Sequence, residues 1–129
     1  GMTESANLAH YYLGVIHYKK GEYELAIRQL EDFSSSDVMV SSVAKGVMGD
    51  SYVALEDYDH AVAEYLRAAK DNENNFTTPI YLKKAALTYE TMGEYKKALN
   101  SFNEIKNKYP QSQEGRNIDK YIARAEGKM

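Results

Sequence analysis

The sequence predicts an all-α fold: three helical hairpins stacked into a solenoid, with a seventh helix capping the C-terminal end. Three observations carry that prediction. One phrase recurs, as GEYELAI at Gly21–Ile27, EDYDHAV at Glu56–Val62 and GEYKKAL at Gly93–Leu99. Its alanines, Ala26, Ala61 and Ala98, stand 35 and 37 residues apart, near the period of helix–turn–helix repeats. On both sides of each copy, apolar residues recur at three- and four-residue spacing.

In the first hairpin Leu8, Tyr11, Tyr12, Val15 and Ile16 mark a first helix, closed by Tyr18 and Lys19. Leu30 and Phe33 carry its second helix. Ser34–Ser36 then supply turn and cap material before a helix from about Asp37, marked by Val40, Val43, Ala44, Val47, Met48 and Tyr52. Tyr65, Ala68 and Ala69 follow the second phrase. In the third hairpin Thr78 takes the N-cap and Pro79 the first helical position, ahead of Ile80, Leu82, Ala85, Ala86 and Tyr89. Leu99, Phe102 and Ile105 belong to its second helix. Each phrase therefore opens a second helix, where its acidic residue meets the positive end of the helix dipole.

Gly21 and Gly93 suit the turn between helices, where φ is free to be positive. The middle copy has Glu56 there, so that turn must either avoid positive φ or accept strain. After Pro110 a capping helix runs over about 112–126, with Ile118, Tyr121, Ile122 and Ala125 on its apolar stripe. The repeats fall at about 7–40, 42–75 and 79–112, all in one domain over 1–129. No comparable cap precedes Leu8. The apolar start of the first helix meets an upstream helix, a second copy, or water as a modest exposed edge.

Composition narrows the functions. With 43% hydrophobic and 27% charged residues the chain builds a folded core. No apolar run approaches the roughly 18–20 residues of a membrane span. The absence of cysteine excludes disulfides, thiolate metal sites and a thiol nucleophile. Net charge is −3, unevenly spread: residues 1–75 hold 6 basic against 13 acidic side chains, and residues 76–129 hold 10 against 6. The basic end either steers an acidic partner or merely solvates helix faces. Nucleic-acid binding calls for a denser basic patch.

Catalytic chemistry is not written in the chain. His10 and His17 lie two turns apart, where helical chelation uses four-residue spacing, and both suit packing between helices. His60 belongs to an exposed stretch. Ser34–Ser36 and Ser41–Ser42 have no local base. Glu31/Asp32 and Asp57/Asp59 sit at helix ends or on solvated faces. Asp71–Asn75 lacks the glycine and final glutamate of a calcium loop. The expectation is a protein without catalytic, cofactor or metal residues. Of twelve tyrosines, Tyr12, Tyr23, Tyr52, Tyr58, Tyr65, Tyr89 and Tyr95 are expected to be buried fully or in part.

The whole pattern resembles the tetratricopeptide repeat (TPR) family. The first copy carries Gly14, His17, Gly21, Tyr23, Ala26 and Leu30. The second carries Gly49, Tyr52, Tyr58, Ala61, Tyr65 and Ala68, and the third Ala86, Tyr89, Gly93, Tyr95, Ala98, Phe102 and Pro110. It departs at His10, Lys45 and Leu82, where the family has a large aromatic, and at the missing proline of the first two copies. The resemblance implies a right-handed superhelix and a non-enzymatic scaffold that binds a protein or peptide in its concave groove. It implies groove positions at Leu8, Tyr11, Val15, Tyr18 and Lys19, at Val43, Gly46, Asp50, Val53 and Ala54, and at Ile80, Lys83, Leu87, Glu90 and Thr91. The candidate partner-binding set is Tyr11, Val15, Tyr18, Lys19, Asp50, Lys83, Leu87 and Glu90. Nucleic acid and direct membrane contact are not expected. Homodimerisation through the uncapped first helix is the alternative.

The family's carboxylate clamp for chaperone C-termini is not matched. Tyr11, Val15 and Ile80 stand where its polar residues belong, and only Lys84 keeps the charge. The segment from Asn75 to Glu126 is more narrowly similar to bacterial envelope TPR proteins like the ancillary Sec translocon subunit. Thr78, Pro79, Tyr81, Leu82, Lys83, Lys84, Gly115, Arg116, Ile118, Asp119, Lys120, Tyr121, Ile122 and Arg124 carry that likeness. It implies a domain outside the cytoplasm on a membrane anchor; without it, a cytoplasmic adaptor is expected.

Overall fold

The computed structural model describes residues 3–129. It is all helical: α1 Glu4–Lys19, α2 Tyr23–Glu31, α3 Val38–Ala54, α4 Tyr58–Lys70, α5 Thr77–Thr91, α6 Tyr95–Lys108, α7 Gln113–Arg116 and α8 Ile118–Gly127. Helices α1/α2, α3/α4 and α5/α6 pair as hairpins, and each second helix packs on the first helix of the next unit. The first helices also touch in succession, α1 with α3 and α3 with α5, and so line one face of the stack.

The three hairpin turns share one construction. One residue in each has positive φ: Gly21 at 79°, Glu56 at 60° and Gly93 at 76°. The next residue's N–H reaches back to a carbonyl in the last turn, Glu22 to His17, Asp57 to Tyr52 and Glu94 to Tyr89, at 2.8–2.9 Å. This is the Schellman closure, which satisfies carbonyls that a helix end leaves open. The middle turn therefore accepts the strain of a left-handed glutamate. Glu22, Asp57 and Glu94 each begin the following helix, and of their side chains Asp57 accepts from the backbone N–H of His60.

The junctions between hairpins differ. Asn7 of α1 donates to the Ser34 carbonyl at 2.5 Å and accepts from the Ser34 N–H at 3.0 Å, tying the first junction down. Asp37 caps α3 by accepting from the Val40 N–H. The start of α5 departs from the sequence expectation. The helix begins at Thr77, and the Asn74 carboxamide oxygen accepts from the Phe76 and Thr77 N–H groups at 2.9 and 2.7 Å. Thr78 is instead fully buried; its hydroxyl donates to the Ala69 carbonyl at 2.6 Å and accepts from the Asn74 N–H. Pro79 consequently lies deeper in the first turn, where its missing N–H still costs no helical bond.

The C-terminal cap is two helices rather than one, which makes eight helices among the described residues. The break falls at Asn117. Just before it the chain passes close to the preceding segment: a Cβ on Gly115 would sit 2.2 Å from the Tyr109 carbonyl oxygen. The chain is pressed against Tyr109–Pro110 there and restarts at Ile118.

Two cores of unequal size hold the stack. The larger spans α4 to α8 and buries Tyr65, Leu82, Phe102, Ile105, Tyr109, Ile118 and Ile122 among small alanines. Full burial of Phe102, Leu82 or Ile105 contributes roughly 1.5–3 kcal/mol each. The smaller joins α2 to α3 through Ile27, Leu30, Ala44 and Met48, with Tyr11 and Phe33 packed on its edge. Glycines admit the aromatics: a Cβ on Gly49 would sit 2.5 Å from the Tyr65 ring, and one on Gly14 would meet Leu30. Tyr12 does not share in this packing. It is 57% exposed, and Leu8, Leu13 and Ile16 are 41–47% exposed on the same helix. The burial expected for Tyr12 is thus not realised, because no other helix among the described residues covers that face of α1.

Candidate functional site: the inner face

The first helices set the site. Helical spacing places Tyr11, Val15 and Tyr18 of α1 in succession, and all three are half-buried. Lys19 is exposed at the end of α1. Tyr11 leans on Phe33 and Tyr12, with ring centroids 5.1 and 5.7 Å away. Tyr18 meets the edge of Tyr23 at 5.7 Å.

Asp50 of α3 is the polar centre. Its carboxylate accepts from the Tyr65 hydroxyl of α4 and from Lys84 Nζ of α5, the latter at 2.9 Å. Burial, and then the bond to Asp50, hold the Tyr65 phenol far above its ordinary range. Burial followed by the Asp50 charge pushes Tyr81 up to about 12, and the same two causes raise Tyr18. These phenols stay protonated and act as hydrogen-bond donors and flat apolar surface. Lys84, the residue that keeps the charge of the chaperone clamp, is spent on Asp50. Gly46 is not an open floor: a Cβ there would lie 2.3 Å from the Tyr81 ring, which fills that seat.

Lys83, Leu87 and Glu90 bring α5 to the face. Leu87 packs on the larger core and borders a hollow of about 200 Å³ lined with Val53, Tyr58, Tyr65, Lys84, Thr88 and Thr91. Glu90 is paired with Arg124 of α8, whose Nε donates at 3.1 Å. Lys83 stands 4.5 Å from the Tyr121 ring centroid. The structure thus joins Tyr18, Asp50 and the α5 residues through partners that sequence reasoning missed: Tyr65, Tyr81, Tyr121 and Arg124. A signal existed. Asp50–Lys84 and Glu90–Arg124 are each separated by 34 residues, acid first and base second.

The three histidines are accounted for by neighbours. His10 bonds the Gln29 side chain at 2.7 Å, His17 faces Glu22 at 3.1 Å, and exposed His60 faces Asp57 at 2.8 Å. No group of three metal-ligating side chains occurs among the described residues. No helix there is long and apolar enough to cross a membrane.

Three profiles described as tetratricopeptide repeat match residues 2–32, 44–75 and 82–112. A TPR repeat-containing protein of Methanocaldococcus jannaschii is 34% identical over 101 residues, 78% of this chain. The chain spans 17% of that relative's length. In fold it is similar to PcrH, solved in complex with the chaperone binding region of PopB, at TM-score 0.71 and 19% identity over 100% of this chain and 98% of that one. It is also similar to the type III secretion translocator chaperone SycD of Yersinia enterocolitica, at TM-score 0.69 and 20% identity over 99% and 88% of the two chains. Three matched repeats, paired helices and Schellman turns lead to one conclusion: the chain belongs to the tetratricopeptide repeat family.

Proposed function

We propose that this protein is a non-enzymatic interaction module that holds a polypeptide segment along the inner face formed by α1, α3 and α5. The observation that carries this is the row of half-buried Tyr11, Val15, Tyr18 and Leu87 beside the Asp50–Lys84 pair. Half-buried aromatics offer contact area at low entropic cost, and the 200 Å³ hollow beside Leu87 admits one apolar side chain. PcrH, of the same fold, was solved with a polypeptide region bound, which supports the reading. Titration with a peptide selected on the wild-type chain tests it. Tyr18→Ala and Leu87→Ala are expected to weaken binding by about 1–3 kcal/mol each. Unchanged affinity in both variants removes the groove.

The finer reading is a soluble part of an anchored envelope protein, supported by the likeness over residues 75–126. A reading frame ahead of Thr3 without a hydrophobic span would oppose it. One observation favours a second function, self-association: Leu8, Tyr12, Leu13 and Ile16 form an exposed apolar stripe on α1. The other end of the stack shows Asp119, Lys120 and Arg124 to water, so the stripe is best matched by itself. Two α1 helices packed antiparallel would set Glu4 against Lys20. Light scattering is expected to show a dimer that Ile16→Glu dissociates, and a monomer at high concentration excludes it.

A further inference from the structure

We propose that the C-terminal end of the inner face, where Lys83 and Lys120 converge on Tyr121, seats acidic side chains, so that the groove selects aspartate- and glutamate-bearing segments. This inference rests on the peptide-groove reading and names the chemistry of its ligand.

Three cations surround one phenol ring. Lys83 Nζ lies 4.5 Å, Lys120 Nζ 5.3 Å and the Arg124 guanidinium carbon 4.9 Å from the Tyr121 centroid. Glu90 faces them and is committed to Arg124. No carboxylate lies within 4.0 Å of Lys83 or Lys120 among the described residues. Lys45, Lys70, Lys84 and Lys106 are paired across helices with Asp71, Glu104, Asp50 and Asp119. What sets Lys83 and Lys120 apart from the other lysines without such a pair is that they stand together over one ring. Two uncompensated ammonium groups therefore share one half-exposed ring. The approach of Lys83 to the Tyr121 phenol, and then the Lys83 charge, hold that phenol below its ordinary range.

Geometry adds the apolar half of the pattern. Leu87 lies one helical turn beyond Lys83 on α5 and borders the 200 Å³ hollow. An apolar side chain in the hollow sets a neighbouring carboxylate of the same segment against Lys83 and Lys120. A polyanion such as nucleic acid fits less well. It needs a row of cations, whereas residues 1–75 carry 6 basic against 13 acidic side chains and repel it.

The test uses the full chain on a library of short immobilised peptides of varied charge, followed by anisotropy titration of the retained sequences. The bound set is expected to be rich in Asp and Glu next to an apolar residue. Replacing those acids by Asn and Gln, or making Lys83→Gln with Lys120→Gln, is expected to weaken binding about tenfold. Lys96→Gln with Lys97→Gln, an equal change of charge on α6, is expected to leave it unaltered. Retention of uncharged or basic peptides overturns the acidic preference and leaves the groove standing, as does an equal loss in the α6 variant. Competition by single-stranded DNA as strong as by the acidic peptide overturns peptide selection. Retention of no peptide overturns both this inference and the groove.

Discussion

Single residues decide where this chain is strained and where it fits. Glu56 holds φ at 60° in a turn whose two counterparts are glycines. An L-residue in that region costs roughly 1–2 kcal/mol, and glycine's extra chain entropy returns about 0.5–1 kcal/mol of that. Glu56→Gly is therefore expected to raise stability by about 0.5–1 kcal/mol, read as a higher urea midpoint at unchanged slope. A lower midpoint would mean that the Glu56 side chain stabilises the turn by some contact with its surroundings. The glycines in the helices do the opposite job. Gly46 and Gly49 exist as seats for the rings of Tyr81 and Tyr65, and those rings frame Asp50.

Residue identity was legible where the rule is local. The phrase marks each turn because the left-handed position, the acidic start and the small alanine are all consecutive in sequence. Asp37 was readable as a cap for the same reason. Asn74 was not, because Thr78 offers an equally good capping group. The choice turns on the Ala69 carbonyl of α4, which claims the Thr78 hydroxyl. Tyr11 and Tyr12 are adjacent and alike in sequence, yet one packs on Phe33 and the other faces water. The partners of the inner face were hidden similarly: the register of α5 follows from periodicity, but its offset against α3 and α8 does not.

At the scale of elements, the start of α4 carries a pH dependence. Exposed His60 is raised, first by its hydrogen bond to Asp57, and Asp57 is lowered by the same bond. For the histidine, the stabilisation is full below the unfolded value of 6.5 and lost as pH rises through the raised folded value. For the aspartate it is present above 3.8 and lost as pH falls through the lowered folded value. Thermal midpoints at about pH 6 and about pH 9 are expected to fall further in wild type than in His60→Gln. Equal falls would show that the pair has no part in it. The acid–base pairs between successive first helices act at the same scale. Asp50–Lys84 fastens α3 to α5, and Glu90–Arg124 fastens α5 to α8. Both are partly exposed, so they fix alignment more than they add stability.

Over the whole molecule, stability is distributed unequally. The large core runs from α4 to α8, whereas α2 meets α3 through four buried residues. The first hairpin is therefore expected to open most readily, as repeat stacks fray at their least supported end. Amide hydrogen exchange in α1 and α2 should be faster than in α5 and α6. A segment lying from Tyr18 to Lys83 would span the seam between the two cores. The ligand would then hold the chain as a splint holds a joint: occupancy at the inner face should slow exchange in the first hairpin, though half of that hairpin never touches the ligand. Protection confined to residues in direct contact would show that the seam is not bridged. The weak junction between α2 and α3 would in that case be a reporter of binding as well as a site of fraying.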